Sequence, residues 1–187
     1  TTLRLNPFFA DAGTYTVTLR AGATNATESF SGSTNITITV LPNPALQITR
    51  WKLATNGNWS VATNWTDGLP DSNKVAVIDL GGDYRITLDS VSPTIAGLVI
   101  GGGNGAPKLA INSHSLTLNG SSIIRSNAVM LSTNATINGP GLLAVEGALV
   151  LNGINLNSSN ALVIQPSALL HIPSTGEPTF ARPTRIS

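Results

Sequence analysis

Between Val75 and Ile172, short apolar triplets recur between small polar residues and turn formers. They read Val75-Ala76-Val77-Ile78, Ile86-Thr87-Leu88, Leu98-Val99-Ile100, Leu109-Ala110-Ile111, Leu116-Thr117-Leu118, Val129-Met130-Leu131, Leu149-Val150-Leu151 and Leu162-Val163-Ile164. Each is of strand length and is bounded by residues that favour turns. Three units close on one phrase: Leu118-Asn119-Gly120, Ile137-Asn138-Gly139 and Leu151-Asn152-Gly153. From Leu109 onward the unit reads as a strand, three or four linking residues, a second strand and an Asn-Gly turn. Asn119, Asn138 and Asn152 are spaced by 19 and then 14 residues, against the roughly 18 of a compact β-solenoid turn. Leu169-Leu170-His171-Ile172 would close the following turn. Strand units stacked in this way predict an elongated structural object. Asn-Gly between apolar strands is also the strongest short-range hairpin signal, so Val150 to Leu156 also reads as a hairpin of an antiparallel sandwich.

The first segment, residues 1–42, alternates differently. Leu3-Arg4-Leu5, Tyr15-Thr16-Val17-Thr18-Leu19 and Asn35-Ile36-Thr37-Ile38-Thr39-Val40 alternate as strands do, with turn-rich pieces at Asp11-Ala12-Gly13 and from Gly22 to Gly32. Asp11, Gly13 and Tyr15, in Asp11-Ala12-Gly13-Thr14-Tyr15-Thr16-Val17, resemble the corner before the sixth strand of immunoglobulin-like domains. There the Tyr hydroxyl bonds back to upstream backbone and the Asp and Gly make the tight approach. Val17 stands where the disulfide Cys would be. The resemblance implies the last three strands of a seven-strand sandwich, too few to close one. Either the rest is missing from this chain or a neighbouring subunit supplies strands by complementation. Residues 43–50, which open on Asn43-Pro44, read as a linker.

Trp51 begins the next segment. Asn58-Trp59-Ser60 and Asn64-Trp65-Thr66 lie six residues apart, followed by Gly68-Leu69-Pro70, Ile86-Thr87-Leu88-Asp89 and Gly97-Leu98-Val99-Ile100-Gly101-Gly102. Over about 50 residues this is similar to the opening module of right-handed parallel β-helix domains in large bacterial secreted proteins, including autotransporter-like passengers. The resemblance implies an all-β chain: a partial immunoglobulin-like sandwich, then a right-handed parallel β-helix over residues 51–172 with a Trp-rich cap at 51–74. Residues 173–187, with Pro173, Pro178 and Pro183, read as a cap, a linker or a disordered tail.

Composition agrees with that class. Charged residues are 10% of the chain and apolar ones 41%, so Asn, Ser, Thr and Gly must solvate the surface, a bias that favours strands and turns over helices. Ten Lys and Arg against nine Asp and Glu leave a net charge of +1 with no basic run. Nucleic acid is therefore not an expected partner, and the short apolar runs are not expected to enter a membrane. With no Cys, disulfides and thiol chemistry are excluded. The chain lacks an initiating Met and a leader, which reads as a piece of something longer. The style is that of bacterial surface proteins, implying an extracellular or cell-surface setting. Asn-x-Ser/Thr occurs at Asn25, Asn35, Asn58, Asn64, Asn119, Asn134 and Asn157, a pattern that glycosylation uses and that a composition this rich in Asn, Ser and Thr also produces by chance.

Candidate chemistry is thin. His114 and His171 lack partners at metal-ligand spacing, and the acids Asp67, Asp71, Asp79, Asp83, Asp89, Glu146 and Glu177 are scattered. Catalysis, metal binding and a cofactor are not expected. Asp67 to Asn73 lacks the alternating ligands of a calcium loop. Gly101-Gly102-Gly103-Asn104-Gly105 opens no helix and has no Lys, which argues against phosphate binding. Trp51, Trp59 and Trp65 are the one candidate ligand site: either a platform for sugar rings or a seal over the open end of the coil. The expected function is a non-catalytic stalk, adhesin or filament segment that can self-associate. A carbohydrate-binding module and an accessory part of a polysaccharide-degrading enzyme are the alternatives.

Overall fold

The computed structural model describes residues 13–24, 29–41, 46–153, 155–157, 161–173, 179–180 and 184–186. The chain divides into two units, residues 1–43 and 44–187. In the first, β1 (Gly13–Thr24) pairs antiparallel with β2 (Ser29–Val40) in one continuous register from Gly13 opposite Val40 to Thr24 opposite Ser29. Alternation puts Tyr15, Val17, Leu19, Ile36 and Ile38 on one face and a Thr-rich set on the other. Tyr15, Leu19 and Ile36 are 40–44% exposed. The expected turn region from Gly22 to Gly32 is instead mostly strand, because the cross-strand ladder carries on through small residues. Leu3-Arg4-Leu5 and Asp11 lie outside the described residues. A β-carbon at Gly13 would make only ordinary contact, 3.7 Å, with the Tyr15 ring, so the tight approach expected of this glycine is not needed here. The three strands expected in this segment are two among the described residues.

The second unit is a parallel β-solenoid with three sheets. Sheet 1 holds β3 (Gln47–Arg50), β5 (Lys74–Ile78), β8 (Gly97–Ile100), β11 (Ser122–Ile124), β14 (Leu143–Val145), β17 (Leu162–Ile164) and β20 (Thr184–Ile186). Sheet 2 holds β4 (Gly57–Asn58), β6 (Arg85–Leu88), β9 (Lys108–Asn112), β12 (Val129–Thr133), β15 (Ala148–Asn152) and β18 (Leu169–His171). Sheet 3 holds β7 (Thr94–Ile95), β10 (Ser115–Leu118), β13 (Thr136–Asn138), β16 (Asn155–Asn157) and β19 (Thr179–Phe180). From β5 the chain visits sheets 1, 2 and 3 in strict rotation, so four full turns are complete by β16. Every ladder is parallel, which settles the alternative: the strands flanking Asn-Gly belong to different sheets and form no hairpin.

From β5 onward a turn takes 19 to 24 residues, as in Ile137 opposite Leu156 and Ile100 opposite Ile124. This exceeds the spacing read from the Asn-Gly phrases, because a turn holds three strands and those phrases mark two different corners. Asn138 ends β13 and Asn119 follows β10, both on sheet 3, whereas Asn152 ends β15 on sheet 2. Gln47–Arg50, expected in the linker, is already the first strand of sheet 1. At the other end, β19 and β20 extend two ladders into the segment expected to be a tail.

In-register stacking builds the core. Ile78, Ile100, Ile124, Val145 and Ile164 form one inward column, and Ile86, Leu109, Met130 and Leu149 another. Side chains of equal kind thus pack above one another at the strand spacing of about 4.8 Å. β12 and β15 alternate buried and half-buried residues, while β8, β11 and β14 are buried throughout. Sheet 1 is therefore covered on both faces, which is why its strands read as unbroken apolar runs.

Candidate functional site

The three tryptophans meet at the first turn. Trp51 directly follows β3 and its amide donates to the Val77 carbonyl, placing it on the inward column of Ile78. Trp59 follows β4 and donates to the Thr87 carbonyl, on the column of Leu88. Trp65 bridges Trp51 antiparallel. The rings of Trp51 and Trp65 pack edge to face at 5.2 Å and 81°, those of Trp59 and Trp65 at 4.7 Å and 65°. The Trp65 indole donates to the Trp59 carbonyl at 3.0 Å, whereas Trp51 Nε1 is buried without a partner among the described residues. Gly57 makes room: a β-carbon there would lie 2.8 Å from the Trp51 ring. Behind them Thr49, fully buried, donates to the Gly68 carbonyl and accepts from the Asp67 amide, and Leu69 packs on the core.

Each of Trp51, Trp59 and Trp65 is 1% exposed. A sugar ring stacks on an exposed aromatic face, and none is presented here, so the platform expected of these residues is not formed. The indoles turn inward because they continue aliphatic columns that otherwise end at the first turn. The motif that joins three rings was legible in the sequence; the direction they face depends on the parity of β3 and β4, which were not read as strands.

The acids are taken up in fastening loops. Asp79 forms an ion pair with Arg50 across two strands of sheet 1. Asp83 accepts from the Ala106 amide at 2.7 Å, and Asp71 from the Asn73 amide at 2.9 Å, with Lys74 Nζ 3.2 Å away. Asp89 accepts from both the amide and the hydroxyl of Ser60 in the preceding turn, at 3.1 and 2.7 Å. Burial pushes the Asp89 carboxyl up, but its hydrogen bonds, led by the Ser60 hydroxyl, outweigh this and hold it below the usual range. Asp71 is likewise held low, chiefly by the Asn73 amide. Burial, with Asp79 nearby, pushes the Tyr84 phenol up to about 12. Glu177 lies outside the described residues. Among the described residues no three His, Cys, Asp or Glu gather as metal ligands do.

His114, expected as an exposed turn residue, is half-buried, and its Nε2 donates to the Asp89 carbonyl at 2.7 Å; His171 is exposed. The glycine-rich run 101–105 is a packing element. The Asn127 side chain of the following turn donates to the carbonyls of Gly103 and Gly105 and accepts from the Gly102 amide. Of the Asn-x-Ser/Thr residues, Asn35, Asn58, Asn119, Asn134 and Asn157 are exposed, whereas Asn64 is half-buried and donates to the Asn58 carbonyl.

One arrangement escaped the sequence reading. Ser113, Asn134 and Gly153 occupy the same corner in successive turns, all in the left-handed region at φ 57°, 47° and 59°. Ser113 donates to the Thr133 carbonyl and Asn134 to that of Asn152, tying corner to corner. Asn and Gly suit this conformation. Their spacings of 21 and 19 residues, equal to the turn lengths there, were the signal available.

The fold and its side chains define a three-sheet parallel β-solenoid with a tryptophan cluster in its first turn. No family model, curated protein or solved structure matches the chain.

Proposed function

We propose that the chain is a non-catalytic structural segment, a stalk, adhesin or filament part of an extracellular or cell-surface protein, with the solenoid as a load-bearing spacer. The observation that carries this is the set of in-register inward columns, in which each turn hydrogen-bonds the next and buries a continuous aliphatic stack. Such an object resists bending because every turn is a packed layer with ladders on three sides. The acids favour the same reading, since Asp71, Asp79, Asp83 and Asp89 fasten loops and do not converge. The tryptophan cluster acts as the cap of the coil, closing strand edges that would otherwise template aggregation. In the first unit, the exposed apolar face of the hairpin supports an immunoglobulin-like sandwich that is completed by strands from elsewhere.

Single-molecule pulling between residues 46 and 173 tests the load-bearing reading. Turns of 19 to 24 residues predict unfolding in steps of about 60–80 Å, one turn at a time. Extension at negligible force without discrete steps would refute it.

A further inference from the structure

We propose that the C-terminal edge of sheet 2 is a self-association surface, on which β18 pairs with β18 of a second copy to form a closed, tail-to-tail dimer. The two ends of the solenoid differ. At the first turn Trp51, Trp59 and Trp65, each 1% exposed, fill the bore together with Leu69. Arg50 and Lys52 flank that edge, and charge is how natural sheets keep edges from pairing.

At the other end, β18 is the last strand of sheet 2. Leu169 is 57% and Ile172 41% exposed. Leu170, which continues the inward column of Ile86, Leu109, Met130 and Leu149, is only partly buried. No Lys, Arg, Asp or Glu occurs from Ala168 to Ile172.

The open edge runs into an apolar outer face. One outward column of sheet 2 passes from Arg85 and Lys108 in the early turns to Val129, Ala148 and Leu169 in the later ones. Leu131 and Val150 lie beside it, half-buried. A strand seated on β18 therefore gains a backbone ladder and an apolar side-chain contact, the same pair of interactions that joins turn to turn throughout sheet 2. The interface is thus continuous with the one that builds the solenoid.

The occupant must offer an uncharged strand edge with apolar neighbours, and the same edge of a second copy does so. The tryptophan end does not, so head-to-tail growth is blocked and pairing about a twofold axis stops at two. This inference goes beyond the load-bearing reading and does not depend on it.

Light scattering after size exclusion, on the 187-residue chain from about 1 to 100 μM, tests it. The expected mass approaches twice 19.3 kDa at the high end and falls on dilution. Leu169→Lys, at an exposed position, is expected to weaken dimerisation about 10-fold or more while leaving the circular dichroism spectrum unchanged. Ile172→Lys is the second variant, should Leu169→Lys fail to fold. Leu19→Lys, on the hairpin, is expected to leave the dimer intact. A monomer throughout, masses growing beyond the dimer, or a dimer broken by Leu19→Lys and spared by both edge variants would each overturn the proposal.

Discussion

Two serines buried in the solenoid should respond in opposite directions to one substitution. Ser132 is 1% exposed and stands in the inward column of Leu88, Ile111 and Leu151, with no hydrogen-bond partner for its hydroxyl among the described residues. Ser122 is fully buried too, but its hydroxyl accepts from the Leu98 amide at 3.0 Å and donates to the Gly120 carbonyl at 3.2 Å. A buried polar group without a partner costs about 1–3 kcal/mol. Ser132→Ala removes such a group and is expected to stabilise the solenoid by about that amount. Ser122→Ala creates one at the Leu98 amide, with an expected loss of about 1–3 kcal/mol. At about 3 °C per kcal/mol for a unit of this size, the two variants should melt on either side of wild type, roughly 6–18 °C apart. Thermal melts followed by far-UV circular dichroism read the difference. A Ser132→Ala protein that melts at or below wild type would show that the hydroxyl has a partner and would refute the reasoning.

The tryptophan cluster gives a second contrast: Trp51→Phe removes an unpartnered N–H, whereas Trp65→Phe breaks the bond to the Trp59 carbonyl, so urea midpoints should place the Trp65 variant about 1 kcal/mol below the Trp51 variant. Gly147→Ala would press a β-carbon into the carbonyl oxygens of Arg125 and Ala128, while Gly32 has open space around it; the first is expected to cost several kcal/mol and Gly32→Ala less than about 0.5 kcal/mol, read by the same melts. Asp89 has a pKa held low in the fold, so its stabilising effect is complete above its unfolded value of about 4 and is lost as pH falls through the folded value. Asp89→Asn should accordingly flatten the acid limb of a stability–pH curve, and an unchanged limb would exclude this group. Tyr84 works in the other direction: with its pKa raised to about 12, its contribution holds below about 10 and fades between 10 and 12, which ultraviolet titration of Tyr84→Phe against wild type can follow.

All eight apolar triplets visible in the sequence lie in strands of the solenoid, and the both-face burial of sheet 1 was written in runs such as Val75 to Ile78. What hid was the third strand of each turn. β11 and β14 offer only Ile123-Ile124 and Leu143-Ala144-Val145 next to small or apolar neighbours, and β13 and β16 show one apolar residue each between polar ones. Such short strands are specified by the turns stacked above and below them, information that a linear pattern does not carry. For the same reason the tryptophans could be found but not oriented. The long β1–β2 ladder was obscured by its Gly, Ser and Ala content, which local propensity assigns to turns.

The constant return distance of the coil has a kinetic consequence. In β12, residues Val129 to Thr133 meet their partners 21 positions earlier and 19 later, whatever the total number of turns. The loop that must close before a new strand can pair is therefore always about 20 residues long, and doubling it would cost only about 0.6 kcal/mol more. A chain built in this way can add turns without raising the entropic barrier of any single step, so its assembly time should grow with the count of turns and not with the separation of its ends.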